Sequence, residues 1–139
     1  MIEDNPADIA LLRYALDHHV QNYQLETLLD GEEAIQFIHE QRNAPDPVPC
    51  VIVLDWHLPK HNGGEVLKAI RQEPVLRHVN IVALTTVSPE DEKEIRRLGV
   101  RLYESKPMEL DGWRTLAQRI LEICREGTVK KHWSDPVSV

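Results

Sequence analysis

Five side chains able to bind a cation or an anion follow separate apolar segments of the chain. They comprise three acids, a hydroxyl and an amine: Glu3, Asp4, Asp55, Thr85 and Lys106. Carboxylates are ligands that a hard divalent cation prefers, and an aspartate can also act as a nucleophile. An ammonium and a hydroxyl can both donate hydrogen bonds to phosphate oxygens. Each acid alone is more often a helix cap or a solvated loop residue, so only their convergence would make a site.

Strands and helices that could position these residues are visible in the hydrophobic pattern. Apolar runs of strand length alternate with segments of helical period, which is typical of strand and helix units around a parallel sheet. Residues 50–54 and 80–84 predict strands buried on both faces, residues 23–28 alternate as an edge strand, and Leu102-Tyr103 is a shorter candidate. Because ligands bind at the carboxyl edge of such a sheet, the five polar side chains should meet there.

Helical spacing predicts five helices among these strands. The first begins at Asn5-Pro6, which offers an N-cap and a proline at N1. The others cover residues 32–41, residues 64–72, residues 88–98 and the segment from Trp113 to Cys124. The helix over 88–98 has only Ile95 and Leu98 as clear apolar anchors, so we expect it to be held loosely.

The connecting and terminal segments carry three further expectations. Residues 43–49 contain three alternating prolines and predict an extended, exposed connector. Only Met1 and Ile2 precede the first acids, whereas a strand needs about five or six residues, so we expect about four more residues upstream in the natural product. Residues 127–139 lack periodicity and predict a loose end or a contact arm, with Trp133 as a candidate dimer contact.

Composition limits the class of protein. A length of 139 residues and 42% apolar content suit one domain with its own core. The net charge of −7 argues against binding to nucleic acid or to an anionic membrane, and no apolar run approaches the roughly 20 residues of a membrane span. Two cysteines, Cys50 and Cys124, support neither a disulfide framework nor a zinc site. We therefore expect a soluble protein of the reducing cytoplasm.

Four motifs in this order resemble a known family. They are Ile2-Glu3-Asp4-Asn5, Val53-Leu54-Asp55 with Pro59 and Gly63, Leu84-Thr85-Thr86, and the stretch from Tyr103 to Pro107. The chain is similar to CheY-like response-regulator receiver domains of two-component signalling, and in detail to single-domain regulators that serve phytochrome-type kinases. The resemblance implies an α/β, flavodoxin-like (βα)5 three-layer sandwich with parallel strand order 2-1-3-4-5, its first strand truncated. The receiver domain would cover residues 1–125, followed by a tail of residues 126–139.

The resemblance also implies a role for each candidate residue. Asp55 would accept a phosphoryl group from a phosphohistidine, and Lys106 and Thr85 would contact the phosphoryl oxygens. Mg2+ would be bound directly by Asp4 and Asp55, by Glu3 through water, and by the backbone carbonyl of His57. Family members often have Asp where Glu3 stands. Tyr103 would swing inward with Thr85 as the switch, and the Lys106-Pro107 bond would be cis.

The implied partners are a sensor histidine kinase, in the finer resemblance a phytochrome-type one, and a downstream protein. That protein would bind the surface around residues 88–98, Tyr103 and the last helix, and a homodimer through the last helix and tail is a further expectation. The protein would be a phosphoacceptor and not an enzyme acting on other substrates. One alternative is a Mg2+-dependent phosphohydrolase with an aspartate nucleophile. Such enzymes have an Asp-x-Asp motif, whereas here His57 occupies the position of the second aspartate. A binding module with a vestigial site is the other.

Several residues have a simpler structural interpretation. Tyr103 could merely fill the edge of the core as a strand aromatic. Two histidines near the acceptor, His57 and His61, suggest a transition-metal site, but their loop lacks a defined ligand spacing. Trp56 could either pack on its loop or lie exposed for a partner, and the sequence does not distinguish the two.

Overall fold

A computed structural model of the chain describes residues 1–43, 48–85 and 88–137, with side chains described as far as residue 126. From residue 51 onward, strands and helices alternate along it as the sequence pattern predicts. The elements in chain order are α1 (Pro6–His19), α2 (Gly31–Glu40), a 3-10 turn (Gln41–Asn43), β1 (Val51–Asp55), α3 (Gly63–Gln72), β2 (Asn80–Leu84), α4 (Pro89–Leu98), β3 (Leu102–Glu104) and α5 (Leu110–Val137).

A parallel sheet forms the middle layer. Strand β1 pairs with β2 and β2 pairs with β3, all in parallel. Ile2 extends the sheet beyond β1, because its N–H donates to the Val53 carbonyl at 2.8 Å and it forms parallel bridges with both Leu28 and Leu54. The three strands lie in the order β1-β2-β3, and Ile2 lies between Leu28 and Leu54 through isolated bridges, so the full order 2-1-3-4-5 is confirmed only for the last three positions.

The edge strand predicted over residues 23–28 is wrong, since only Leu28 pairs in the sheet. Leu28 N–H donates to the Met1 carbonyl at 2.9 Å, and Glu3 N–H donates to the Leu28 carbonyl at 2.9 Å. The Glu26 carbonyl accepts from the Met1 amino group at 2.8 Å, but residues 23–27 form no bridge to the sheet. Alternation of side chains describes which face each residue would take, but a strand also needs a partner along its length.

Local signals explain where the helices begin and end. Asn5 caps α1 by accepting from Ala7 N–H at 2.9 Å, with Pro6 at the first helical position as predicted. Ser88 caps α4 by accepting from Asp91 N–H. Helix α4 ends at Leu98 and is capped by Gly99, whose φ of 72° lies in the left-handed region that favours glycine.

Hydrophobic packing on both faces of the sheet gives three layers, as the flavodoxin-like class predicts. Ile52, Leu54 and Ile81 belong to the cluster that includes α2, α3 and Ile95 of α4. The opposite face packs against α1 and α5, and the residues of this second cluster are Leu12, Ala15, Leu16, Val53, Val82, Leu84, Trp113, Leu116, Ala117, Ile120 and Ile123. Within α4 only Ile95 is buried, so the helix has few apolar anchors, and the expectation that it is held loosely stays a prediction.

Two covalent features differ from the sequence expectations. Cys50 and Cys124 form a disulfide, because α5 packs across the sheet and brings their Cα atoms within 5.1 Å despite a separation of 74 residues. The Lys106-Pro107 bond is trans, since the described residues contain no cis peptide bond, so the cis prediction is wrong for this structure. Trans is the isomer that a bond before proline generally prefers.

Two predicted segments extend into less described parts of the chain. Helix α5 continues to Val137, through residues that the sequence pattern places in an aperiodic tail. Most of the proline-rich connector, residues 44–47, lies outside the described residues. The predicted contact role of Trp133 lies outside the described side chains. In the part of the chain that is described, no helix is both long and apolar enough to cross a membrane.

Candidate functional site

Three acidic side chains meet at the carboxyl edge of the sheet. Glu3 follows the bridging residue Ile2, Asp4 comes next, and Asp55 is the last residue of β1. One carboxylate oxygen from each lies within 4.8 Å of the other two. Glu3 and Asp55 are buried and Asp4 is exposed. The predicted convergence is confirmed, because parallel strands place residues distant in sequence at one edge.

Lys106 lies among these acids. Its Nζ is 2.8 Å from Glu3 Oε1, 2.9 Å from Asp8 Oδ2 and 3.4 Å from Asp55 Oδ2. The sequence analysis did not include Asp8, an acid in the first turn of α1, among the candidate site residues. The available signal was that α1 starts at the carboxyl edge, so that an acid in its first turn can face the site.

The charges of this cluster perturb one another. Burial raises the pKa of Glu3 to about 7, an effect that the nearby Asp55 reinforces and that Lys106 partly offsets. Burial would lower the pKa of Lys106, but the hydrogen bonds and charges of Glu3, Asp8 and Asp55 outweigh burial and raise it. The ammonium therefore stays charged at neutral pH, while Glu3 titrates near neutrality.

The acidic cluster has the donor chemistry of a divalent-cation site. Its three carboxylates supply hard oxygen ligands from Glu3, Asp4 and Asp55 at one edge of the fold. Glu3 Oε1 is fully buried, and the Lys106 ammonium lies 2.8 Å from it. A buried carboxylate oxygen that already faces a positive charge is suited to a cation or to a water bound to one. The part assigned to the His57 carbonyl stays a prediction.

Thr85 reaches the same edge from β2, with its backbone N–H donating to the Glu104 carbonyl at 3.0 Å. Its side chain is buried, and its Oγ1 is 3.2 Å from His57 Nε2. His57 in turn donates its backbone N–H to Asp55 Oδ1 at 3.1 Å. His57, in the loop between β1 and α3, therefore contacts both Asp55 and Thr85.

Trp56 is buried, which answers the question that the sequence left open. Its indole Nε1 donates to Asp91 Oδ1 of α4 at 3.2 Å, and its carbonyl accepts from Gly63 N–H at 2.8 Å. A Cβ at Gly63 would lie 2.7 Å from the Trp56 Cα, so the close approach of the loop requires glycine at this position. Trp56 packs on the loop instead of presenting its ring to a partner.

Tyr103 is half-buried on β3 and its hydroxyl is bound to α4. The hydroxyl donates to Glu92 Oε1 at 2.8 Å and accepts from Arg96 Nη2 at 3.1 Å. The Arg96 guanidinium also lies 5.9 Å from the centre of the tyrosine ring. The inward swing expected of Tyr103 would require these contacts to break, and it stays a prediction.

The histidines near Asp55 do not form a metal cluster in the part of the chain that the structure describes. His61 instead pairs with Glu65 on α3, with 2.7 Å between its Nδ1 and the carboxylate. His57 is engaged with Thr85, as described above. The interpretation of these residues as a transition-metal site is therefore not supported.

Comparisons with known proteins find similarity to response regulators. A family model described as the response regulator receiver domain matches residues 1–120. Response regulator Rcp1 of Synechocystis sp. is 38% identical over 93 residues, which cover 66% of this chain and 63% of Rcp1. The chain thus spans less than two thirds of that relative.

Known structures show the same likeness in three dimensions. The Mn2+-bound form of Rcp1 superposes with a TM-score of 0.73 at 34% identity and covers 86% of this chain and 87% of that one. The phosphorylated cyanobacterial phytochrome response regulator RcpA superposes with a TM-score of 0.76 at 32% identity, covering 87% and 88%.

Proposed function

This chain belongs to the response regulator receiver domain family, and we propose that it is a single-domain phosphorelay acceptor phosphorylated on Asp55. The observation that carries the proposal is the position of Lys106, whose ammonium pairs with Asp55 and with Glu3 at the edge where the acids converge. An aspartate beside a fixed cation and further carboxylates is what phosphoryl transfer to a carboxylate requires.

Each residue of the site has a separate role in the proposed phosphoryl transfer. A carboxylate oxygen of Asp55 attacks phosphorus, a new O–P bond forms, and the N–P bond to the kinase histidine breaks with its electron pair leaving on nitrogen. His57 N–H holds Asp55 Oδ1. Lys106 and Thr85 donate hydrogen bonds to the transferred phosphoryl oxygens. A bound divalent cation supplies neutralisation of the charge on those oxygens.

Mg2+ is the cation we propose, held directly by Asp4 and Asp55 and through water by Glu3. Support comes from the acidic cluster and from the Mn2+-bound form of the relative Rcp1. The small octahedral shell of Mg2+ takes one or two carboxylates and keeps several waters, which suits a cluster with one exposed and two buried acids.

The proposed partners follow from the same family. A sensor histidine kinase would supply the phosphoryl group, and the similarity to a phytochrome response regulator supports a phytochrome-type kinase. The signal would pass to a downstream protein through the surface of α4, β3 and α5. Cytoplasmic location, dimerisation, the absence of enzymatic activity on other substrates, and the division into a receiver of residues 1–125 and a tail of residues 126–139 stay predictions.

The phosphohydrolase alternative is not favoured. The receiver family model covers nearly the whole chain, and the position two residues after Asp55 holds a histidine rather than an acid. That histidine contacts Thr85, so the site lacks the second aspartate that such hydrolases use as an acid. Hydrolysis of a small phosphoester by the wild type but not by the Asp55→Asn variant would favour the phosphohydrolase.

Labelling with acetyl phosphate and Mg2+ tests the proposal. We expect one acid-stable, hydroxylamine-sensitive phosphoryl group per chain, abolished by Asp55→Asn and by chelation of Mg2+. Asp111→Asn is the matched control, because Asp111 is an exposed aspartate on α5. Retention of the label in Asp55→Asn would show that another residue is the acceptor.

A further inference from the structure

Asp91, in the first turn of α4, contacts both residues that follow Asp55 in the chain. Its Oδ1 accepts from the Trp56 indole at 3.2 Å, and its Oδ2 lies 3.6 Å from His57 Nε2. The Asp91 side chain is only 22% exposed. The two oxygens of one carboxylate therefore face two consecutive residues of the loop between β1 and α3.

The partners of Asp91 are themselves held in place. Asp91 N–H donates to the capping Ser88 Oγ at 3.1 Å, which fixes the start of the helix. Trp56 is buried and lies against the backbone of Gly63, where no Cβ would fit. The indole N–H of Trp56 therefore has a fixed direction, and it donates directly to the Asp91 carboxylate.

The contact continues from His57 to the site. His57 Nε2 is 3.2 Å from Thr85 Oγ1, and the His57 backbone N–H donates to Asp55 Oδ1. A continuous series of polar contacts therefore connects α4 with the proposed acceptor and with Thr85. The series is separate from the Tyr103 contacts, which involve Glu92 and Arg96.

Helix α4 depends on such contacts because its apolar anchoring is weak. Only Ile95 of this helix is buried, and its remaining residues are mostly charged. A single polar contact at the N-terminus then accounts for a larger share of what holds the helix than it would in a well-packed helix.

We propose that Asp91 is a positioning residue: it fastens α4 to the loop after Asp55 through Trp56 and His57, and so keeps Thr85 in its resting arrangement. The inference rests on the proposed phosphorylation of Asp55. Thr85 must turn its hydroxyl toward a phosphoryl oxygen and give up its contact with His57. Contacts present in only one of two states favour that state, so removing the Asp91 carboxylate shifts the protein toward the phosphorylated arrangement.

The test compares three variants of the full chain with the wild type. Asp91→Ala removes both contacts, Asp91→Asn keeps an oxygen that can accept from the indole, and Glu90→Ala removes an exposed acid from the same helical turn. Initial rates of labelling are measured at limiting acetyl phosphate with Mg2+. The indole N–H resonance of Trp56, assigned with Trp56→Phe, reports the hydrogen bond in the resting protein.

We expect Asp91→Ala to be labelled about 2- to 10-fold faster than the wild type, the factor that corresponds to loss of the hydrogen bond from the Trp56 indole. Its Trp56 indole resonance should shift. Asp91→Asn should return the rate to within about twofold of the wild type and restore the resonance, and Glu90→Ala should change neither. That combination distinguishes a specific contact from a general loss of negative charge near α4.

The inference is overturned if Asp91→Ala is folded but labelled no faster than the wild type, or if Glu90→Ala gives the same increase. An unchanged indole resonance in Asp91→Ala would also overturn it. These results leave wild-type labelling at Asp55 intact and so leave the proposed function standing. Absence of label on the wild type would instead refute the proposed function, and the inference with it.

Discussion

Replacing Lys106 with methionine tests whether one ammonium group holds the acidic cluster together. In the wild type this group lies 2.8 Å from Glu3, 2.9 Å from Asp8 and 3.4 Å from Asp55. Methionine keeps much of the length of the side chain and removes its charge. The carboxylates of Glu3, Asp8 and Asp55 would then lose the cation that pairs with each of them.

The expected loss of stability follows from the burial of these groups. Removing one partner of a buried ion pair costs about 3 to 5 kcal/mol, because the remaining charge is left without compensation. The Lys106 side chain is 28% exposed whereas Glu3 is fully buried, so solvent screens part of the interaction. We therefore expect the free energy of unfolding of Lys106→Met to fall by about 2 to 3 kcal/mol at pH 8 without divalent cations.

The loss should depend on pH because Glu3 can take up a proton. Its folded-state pKa is raised to about 7, above the value of an unfolded chain. Its protonation therefore stabilises the fold at low pH, and this contribution disappears as the pH rises through about 7. Lysine lowers this pKa, so in Lys106→Met the carboxyl stays protonated to higher pH. The deficit relative to the wild type should be smaller at pH 6 than at pH 8.

Urea unfolding followed by circular dichroism, at pH 6 and pH 8 in chelator, measures the effect. Lys68→Met is the matched control, since Lys68 is exposed on α3, and it should change stability by less than about 0.5 kcal/mol. Equal stability of Lys106→Met and the wild type at pH 8 would refute the electrostatic reasoning. A deficit that grows toward pH 6 would refute the assignment of the titrating group to Glu3.

Three further predictions follow from other features of the structure. Mg2+ at about 100 times its dissociation constant should stabilise the wild type by about 2.7 kcal/mol in thermal or urea unfolding, and Asp4→Asn should remove most of that gain; equal gains in both would place the cation elsewhere. Gly63→Ala should destabilise the protein by about 1 to 3 kcal/mol in urea, because a Cβ there would lie 2.7 Å from the Trp56 Cα. Unchanged stability would mean that the loop between β1 and α3 accommodates the added Cβ without loss of free energy of unfolding. Tyr103→Phe removes the hydroxyl contacts with Glu92 and Arg96 and should cost no more than about 1.5 kcal/mol while increasing hydrogen exchange across α4, and unaltered exchange would show that these contacts do not hold the helix.

Much of the site was predictable from sequence because parallel sheets place strand ends at one edge. Glu3, Asp4 and Asp55 needed only the correct strands to be brought together, and the position of Lys106 after the last strand followed from the same rule. The strand predicted over residues 23–28 is wrong, because alternation assigns each side chain to a face but does not show whether the backbone has a pairing partner.

The sequence by itself determined the helices α1–α5, the strands β1–β3 and the edge at which polar groups collect, since periodicity and capping residues act over a few neighbouring positions. Only the tertiary structure decided which side chains pair across elements: Asp8 with Lys106, Asp91 with Trp56 and His57, and Cys50 with Cys124. Such pairs depend on the angle and offset at which a helix packs on the sheet. Those quantities arise from the packing of many residues at once, so no local pattern encodes them.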